Sequence, residues 1–259
     1  MNSFADLGFH ASPLLRTSHC DIHGAFESRC LFRSVWSRCP ECEDIRAENE
    51  AKEKVDKDRR ERREMWERKV DTAGIPIRFR ERSLANFDAT NEGQNKALQF
   101  AKNYAANFTD GAFESGQSAL FIGKPGTGKT HLAVSIGLMA MDRGHSVMFC
   151  TVMRAIRRVK DTWSRDSHES ESQAVAALVF PDLLILDEVG VQFGSETEKN
   201  ILFDMLNDRY EQRKPCLLLS NLPLKDVRSF LGERVFDRLR EDGGEVVPFD
   251  WESHRAKIA

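Results

Sequence analysis

Five short apolar runs mark the second part of the chain: Ala119–Ile122, Val147–Cys150, Leu183–Leu186, Leu217–Ser220 and Val246–Phe249. They are nearly unbroken in hydrophobicity and too short for helices, the pattern of strands buried on both faces. Helical periodicity lies between them. Gln94–Asn107 places Ala97, Leu98, Ala101 and Tyr104 on one face, and the segment after Lys129 does the same with Leu132, Ala133, Ile136 and Met139 before a stop at Gly144. Val152–Trp163 and Ser195–Arg213 are two further predicted helices, the latter opening on a Ser195/Glu198 capping box. Strands alternating with helices predict an α/β domain over residues 70–259, with a five-stranded parallel sheet between helices. Ser164–Ser172 is polar throughout and reads as a loop, and no internal repeat is evident.

Upstream the pattern changes twice. Residues 43–69 hold ten acidic and ten basic side chains in 27 positions. Glu, Lys, Arg and Ala favour helix, and opposite charges at helical spacing support it, so a solvated helical linker is expected. Residues 1–42 show little periodicity but carry four of the six cysteines. The chain thus divides into 1–42, 43–69 and 70–259. With 259 residues, 41% hydrophobic and 31% charged, it is a soluble globular type, and no run nears the roughly 20 apolar residues of a membrane span. Residues 1–11 lack a signal peptide's basic and apolar regions, so a cytoplasmic protein without structural disulfides is expected. Cys150 and Cys216, inside apolar runs, read as small core residues. A net charge of −3 means that any nucleic-acid contact must be local.

The first apolar run leads into Gly123-Lys124-Pro125-Gly126-Thr127-Gly128-Lys129-Thr130, followed by His131. This is G-x-x-x-x-G-K-[ST], the phosphate-binding P-loop. Its glycines let backbone N–H groups wrap phosphates, Lys129 reaches the β- and γ-phosphates, and Thr130 offers a hydroxyl to Mg²⁺. The third run delivers Asp187 and then Glu188 at its end. An aspartate there suits Mg²⁺ and the following glutamate suits a base for attacking water, which points to hydrolysis of a nucleoside triphosphate rather than mere binding. Asn221, ending the fourth run, is placed to hydrogen-bond the water or the γ-phosphate.

In Val152–Trp163, Arg154, Arg157, Arg158 and Lys160 stand beside Trp163. Cations that track a backbone beside a ring that stacks on bases suit single-stranded DNA, with Lys160, Trp163 and Arg157 the chosen contacts. The same residues equally fit a solvated helix face with Trp163 in the core. Near the N-terminus, Cys20 and His23 precede Cys39 and Cys42 by a spacer typical of paired zinc knuckles, predicting one closed structural Zn²⁺ site in a zinc ribbon or knuckle. His19 and Cys30 are alternative ligands that break the spacing.

Together these blocks resemble the DnaC/IstB-type AAA+ ATPases, replicative helicase loaders and transposition helpers, over about residues 70–259. The resemblance rests on Gly74–Phe79 with Phe87, GKPGTGKTHLA, LLILDEVG, Ser220-Asn221, Gly232–Leu239 (GERVFDRL) and Phe249–Arg255 (FDWESHR). The last two blocks favour the loader branch, of a phage or bacterial replication system. The resemblance implies that Asn221 is the sensor-1 residue and Arg255 the sensor-2 arginine. It also implies that Arg238, or else Arg234, reaches the γ-phosphate of a neighbouring subunit, hence a homo-oligomer when assembled. It implies ATP and Mg²⁺ as cofactors, with the replicative DNA helicase and single-stranded DNA as partners. The alternatives are an IstB-like transposition helper, a DNA-binding adaptor in which the zinc module recognises DNA and nucleotide is structural, and a P-loop small-molecule kinase, which has no need of the Asp187-Glu188 pair or the trans arginine.

Overall fold

The computed structural model describes residues 14–32, 35–108, 116–191 and 195–254. The chain forms two compact units, Met1–Trp66 and Glu67–Ala259.

In the first unit, β1 (Leu15–Cys20) and β2 (Gly24–Phe32) form an antiparallel hairpin, registered from Leu15 opposite Arg29 to Cys20 opposite Gly24. β3 (Val35–Trp36) adds to β2. Where the sequence showed little periodicity there is therefore a small sheet. Its exposed positions include Leu15 and Val35, so no apolar alternation announces it. Helix α1 runs from Pro40 to Thr72, three residues beyond the expected linker at each end. Pro40 suits a first helical position, where its missing N–H is not needed. Glu41 and Glu43 in the first turn and Lys69 in the last complement the helix dipole. Arg46–Glu50 and Lys57–Glu61 pair one turn apart along the exposed surface.

The second unit is built on β4 (Ala119–Gly123), β5 (Val147–Thr151), β6 (Leu183–Asp187), β7 (Cys216–Ser220) and β8 (Glu245–Phe249). All pairings are parallel, in the order β5-β6-β7-β4-β8. The α/β expectation holds, and each predicted strand lies within an observed one. The helices are α2 (Glu92–Asn107), α3 (Lys129–Asp142), α4 (Val152–Asp161), α5 (Glu171–Val179), α6 (Glu196–Glu211) and α7 (Leu224–Arg240), the last kinked at Gly232. Leu120, Leu184, Leu186 and Leu218 face α4–α7 in one core. Phe121 faces the other way and meets Phe100 of α2 edge-on at 5.8 Å, and a side chain on Gly137 of α3 would collide with Ile185. Cys150 and Cys216 are buried, as expected.

Two local readings need correction. Ser164–Ser172 is not wholly a loop. Ser170 caps α5 through a reciprocal box with Gln173, so the helix begins inside the polar run. At α6, Ser195 accepts from the Glu198 N–H as expected, while the Glu198 carboxylate takes the Lys160 ammonium at 3.0 Å.

Arg209 is fully buried. Its guanidinium donates to the carbonyls of Leu178, Val179, Pro181, Asp182 and Pro215 and to the sulfur of Cys216. Two of those carbonyls end α5, where the helix dipole favours a cation. Arg209→Met is expected to cost about 3 kcal/mol or more, because each orphaned buried acceptor costs about 1–3 kcal/mol. Urea unfolding of the full chain measures it, and a loss below about 1 kcal/mol would show the carbonyls rehydrate freely.

Candidate functional site

The P-loop leaves the carboxyl end of β4, between β7 and β8, where the chain must skip over neighbouring strands to reach β5. Such switch points open a crevice for ligands. The loop needs glycine for two specific reasons. Gly123 has φ 141°, and a Cβ there would lie 2.0 Å from the Phe249 carbonyl oxygen. Gly128 caps α3 at φ 99°, with the Phe87 ring 2.6 Å from where a Cβ would be. The first turn of α3 presents backbone N–H groups and the positive dipole end towards the crevice. Lys124 and Pro125 are exposed, whereas Thr127 is buried and its hydroxyl donates to the Lys124 carbonyl at 2.8 Å.

Lys129 is buried, and its ammonium folds back on the carbonyls of Gly123 (2.7 Å) and Lys124 (2.8 Å). Burial pulls its pKa down to about 8, against the opposing pull of Asp187. Thr130 Oγ1 donates to Asp187 Oδ2 at 2.9 Å. This contact joins residues 57 apart in sequence and brings two oxygen donors of the kind Mg²⁺ prefers into contact. Burial raises the Asp187 pKa, while the Glu188 N–H and the Thr130 hydroxyl oppose the rise. The His131 Nε2–H donates to the Ser83 carbonyl (2.9 Å) and the ring meets Phe87 edge-on, and burial lowers its pKa.

Glu188 is exposed and sits in the left-handed region at φ 62°. For a residue other than glycine this conformation is strained, and such strain clusters at functional sites. The turn is fixed from β7. Val189 N–H donates to the Leu219 carbonyl, and the Ser220 hydroxyl donates to the Val189 carbonyl at 2.6 Å while accepting from the Leu222 N–H. The sequence reading singled out Asn221, whereas Ser220 is the side chain that ties this turn to β7. Asn221 is exposed just past β7, the strand between β6 and β4, so it shares their carboxyl edge.

Arg238 lies elsewhere. It stacks on the Tyr210 ring at 4.6 Å and borders a hollow with Ser118 and Cys216, at the amino ends of β4 and β7. That is the sheet edge opposite this chain's own P-loop. Arg234 is exposed on the same helix, past the Gly232 kink. Arg255 lies outside the described residues.

On α4, Val152, Ala155, Ile156 and Val159 are buried, and Arg154, Arg157 and Lys160 are exposed. Trp163 is 50% exposed, so the core reading of this ring fails. Carboxylates already engage much of this face. Lys160 pairs with Glu198, Arg158 grips Glu169 through Nε and Nη2, and the Trp163 indole donates to Glu171 at 2.6 Å.

The first unit gathers Cys20, His23, Cys39 and Cys42, whose ligand atoms all lie within 4.8 Å of one another. Cys20 and Cys42 sulfurs are 3.5 Å apart, and His23 Nδ1 is 3.8, 3.5 and 3.3 Å from the sulfurs of Cys20, Cys39 and Cys42. Tetrahedral zinc with bonds of about 2.3 Å to sulfur and 2.0 Å to nitrogen requires edges of about 3.5–3.8 Å. The four residues therefore fit zinc. Backbone N–H groups of His23 and Ile22 aimed at the Cys20 sulfur bring its pKa down to about 6, and the adjoining Cys20 sulfur pushes Cys42 up to about 11. Sulfurs crowded in this way suit a shared cation, which would hold them as thiolates. His23 Nε2 points at Glu41, 3.6 Å away, which suits the orientation of a metal-bound imidazole. Cys42 stands in the first turn of α1, so the cluster ties the hairpin to the helix start.

The family description "IstB-like ATP binding protein" matches residues 49–258, beginning after the Cys/His cluster. The replicative helicase loader DnaC of Escherichia coli (strain K12) is 38% identical over 200 residues, covering 77% of this chain and 80% of that protein. The crystal structure of the DnaC helicase loader superposes with a TM-score of 0.59 at 25% identity, covering 67% of this chain and 99% of that one. The crystal structure of DnaI superposes at 0.57 with 20% identity, covering 67% and 94%, and shares the fold. Among the described residues no helix is long and apolar enough to cross a membrane. The P-loop crevice, the sheet order and these likenesses converge: the chain belongs to the IstB-like ATP-binding family and is homologous to the DnaC replicative helicase loaders.

Proposed function

We propose that this protein is an ATP-hydrolysing loader of a replicative DNA helicase, working as a homo-oligomer on single-stranded DNA. The observation that carries the reading is the Thr130–Asp187 hydrogen bond beneath the P-loop, in a chain homologous to helicase loaders. In this reading residues 123–131 cradle the nucleotide, and Thr130 and Asp187 hold Mg²⁺, which supplies charge neutralisation at the phosphates when bound. Glu188 orients or deprotonates the attacking water, with Asn221 beside it. Arg238, with Arg234 as the alternative, serves a neighbouring subunit, and its place at the sheet edge away from its own P-loop supports supply in trans. Arg255 is carried over from the resemblance alone. The division into 1–42, 43–69 and 70–259 is kept as a functional one: metal module, helical linker, ATPase. Zinc at Cys20, His23, Cys39 and Cys42 is structural, since four protein ligands leave no open position.

The test mixes the purified full chain, Mg-ATP, single-stranded DNA and the host's replicative helicase. Helicase transfer onto a closed single-stranded circle, lost in Lys129→Ala, is expected; no helicase binding with or without nucleotide would remove the loader role. The DNA face has its own test. Lys160→Ala is expected to reduce the salt slope of single-strand binding by about 0.7, and Trp163→Ala to cost about 1–3 kcal/mol at any salt. Fluorescence anisotropy at several salt concentrations reads both, and unchanged slopes and affinities would leave α4 an ordinary solvated face.

A further inference from the structure

The geometry points to a strap formed by the segment after β8, in which Trp251 and the His254 backbone hold the P-loop in its phosphate-accepting conformation. The Trp251 indole Nε1–H donates to the Thr127 carbonyl at 2.9 Å, and the His254 N–H donates to the Gly126 carbonyl at 3.0 Å. These are consecutive peptide units of the loop. No peptide bond among the described residues is cis, and in a trans peptide the C=O and the next N–H point in opposite directions. Drawing the two carbonyls outward therefore turns the N–H groups of Thr127 and Gly128 inward, where an anion is cradled.

The indole is itself anchored. Its ring packs on Phe249 at 4.9 Å between centroids, and Phe249 packs on Phe121 of β4 at 5.2 Å. A Cβ at Gly93, in the first turn of α2, would come within 3.2 Å of the Trp251 ring. Trp251 thus joins α2, β8 and the P-loop, and Phe249 closes the same loop at Gly123. A glycine-rich loop with free peptide units samples many orientations; the strap removes that freedom before the nucleotide arrives. Trp251 is a positioning residue, acting on the phosphates through the loop.

The inference rests on the nucleotide reading of the P-loop. The test compares the full-length wild type with Trp251→Phe, which keeps a ring and deletes the N–H. A second variant carries β-(3-benzothienyl)alanine at 251, which preserves indole shape without the donor and covers the case in which phenylalanine packs poorly. Calorimetry with Mg-ATP and with inorganic tripolyphosphate gives the affinities, and thermal unfolding of the nucleotide-free protein gives the control. Both variants are expected to bind both probes about five- to tenfold more weakly, the worth of one hydrogen bond, with the nucleotide-free midpoint within about 2 °C of wild type. Unchanged affinities would overturn the strap and leave the nucleotide site standing. An affinity loss that tracks a falling midpoint in both variants would make Trp251 mere packing and overturn the positioning role. A wild type that binds neither probe would overturn the site and the strap together.

Discussion

Glutamine at position 188 is expected to leave Mg-ATP affinity within about twofold of wild type and to lower turnover by roughly 10²–10⁴-fold, the range of a positioned general base. The separation follows from the layout of the crevice. Binding groups come from the P-loop and the start of α3, where Lys129 and Thr130 lie, whereas Glu188 is exposed one residue beyond β6. Glutamine keeps the size and hydrogen-bonding capacity of the side chain but cannot take a proton. Lys129→Ala should fail earlier, at binding, because it removes the buried ammonium that rests on the loop carbonyls and feels the charge of Asp187. Calorimetric binding beside single-turnover hydrolysis, with single-stranded DNA present, distinguishes the two variants. Wild-type turnover in Glu188→Gln would exclude this carboxylate as the base.

Removing the metal should have the largest effect on stability. Metal analysis of the purified chain is expected to give about one zinc per protein, and Cys39→Ser to lose it, since structural zinc supplies about 10–16 kcal/mol of folding free energy in small modules. Cys39 is the buried member of the cluster, just ahead of Pro40, so serine there removes a sulfur at the helix start. Loss is read as zinc released to a chromogenic chelator and as reaction of the ligand thiols with a disulfide reagent. Leu14, Leu15, Ile22 and Val35 of this small sheet and its flanks are exposed, and its described residues bury little apolar surface to hold it otherwise. Wild-type protein that takes up no zinc when supplied with it would overturn the metal centre.

The sequence carried the central sheet well because strands buried on both faces are written as unbroken apolar runs, and each of the five is short and isolated. It carried the P-loop, Asp187 and the Cys/His cluster because their spacing is itself the signal. Other features are set by contacts between distant residues. Arg209 stands in the charged stretch DRYEQRK and gives no hint that it is buried against five carbonyls from outside its own helix. Trp251 and Thr127 are 124 residues apart, so their hydrogen bond has no local trace. Helix α5 was hidden because its capping serine belongs to the same polar run as the preceding loop. The hairpin was hidden because its strands lack a clear apolar face, their geometry being tied to the Cys/His cluster rather than to a core.

The backbone at Glu188 has a consequence for how this sequence can change over generations. A left-handed conformation costs a residue with an ordinary side chain about 1 kcal/mol or more, a cost that glycine escapes and asparagine reduces. Mutation under selection for folding alone would therefore drift at this position towards glycine or asparagine. With Glu188 in the proposed role of base, a carboxylate persists there only while that chemistry is under selection, which makes position 188 an early casualty in any lineage that keeps the fold and abandons hydrolysis.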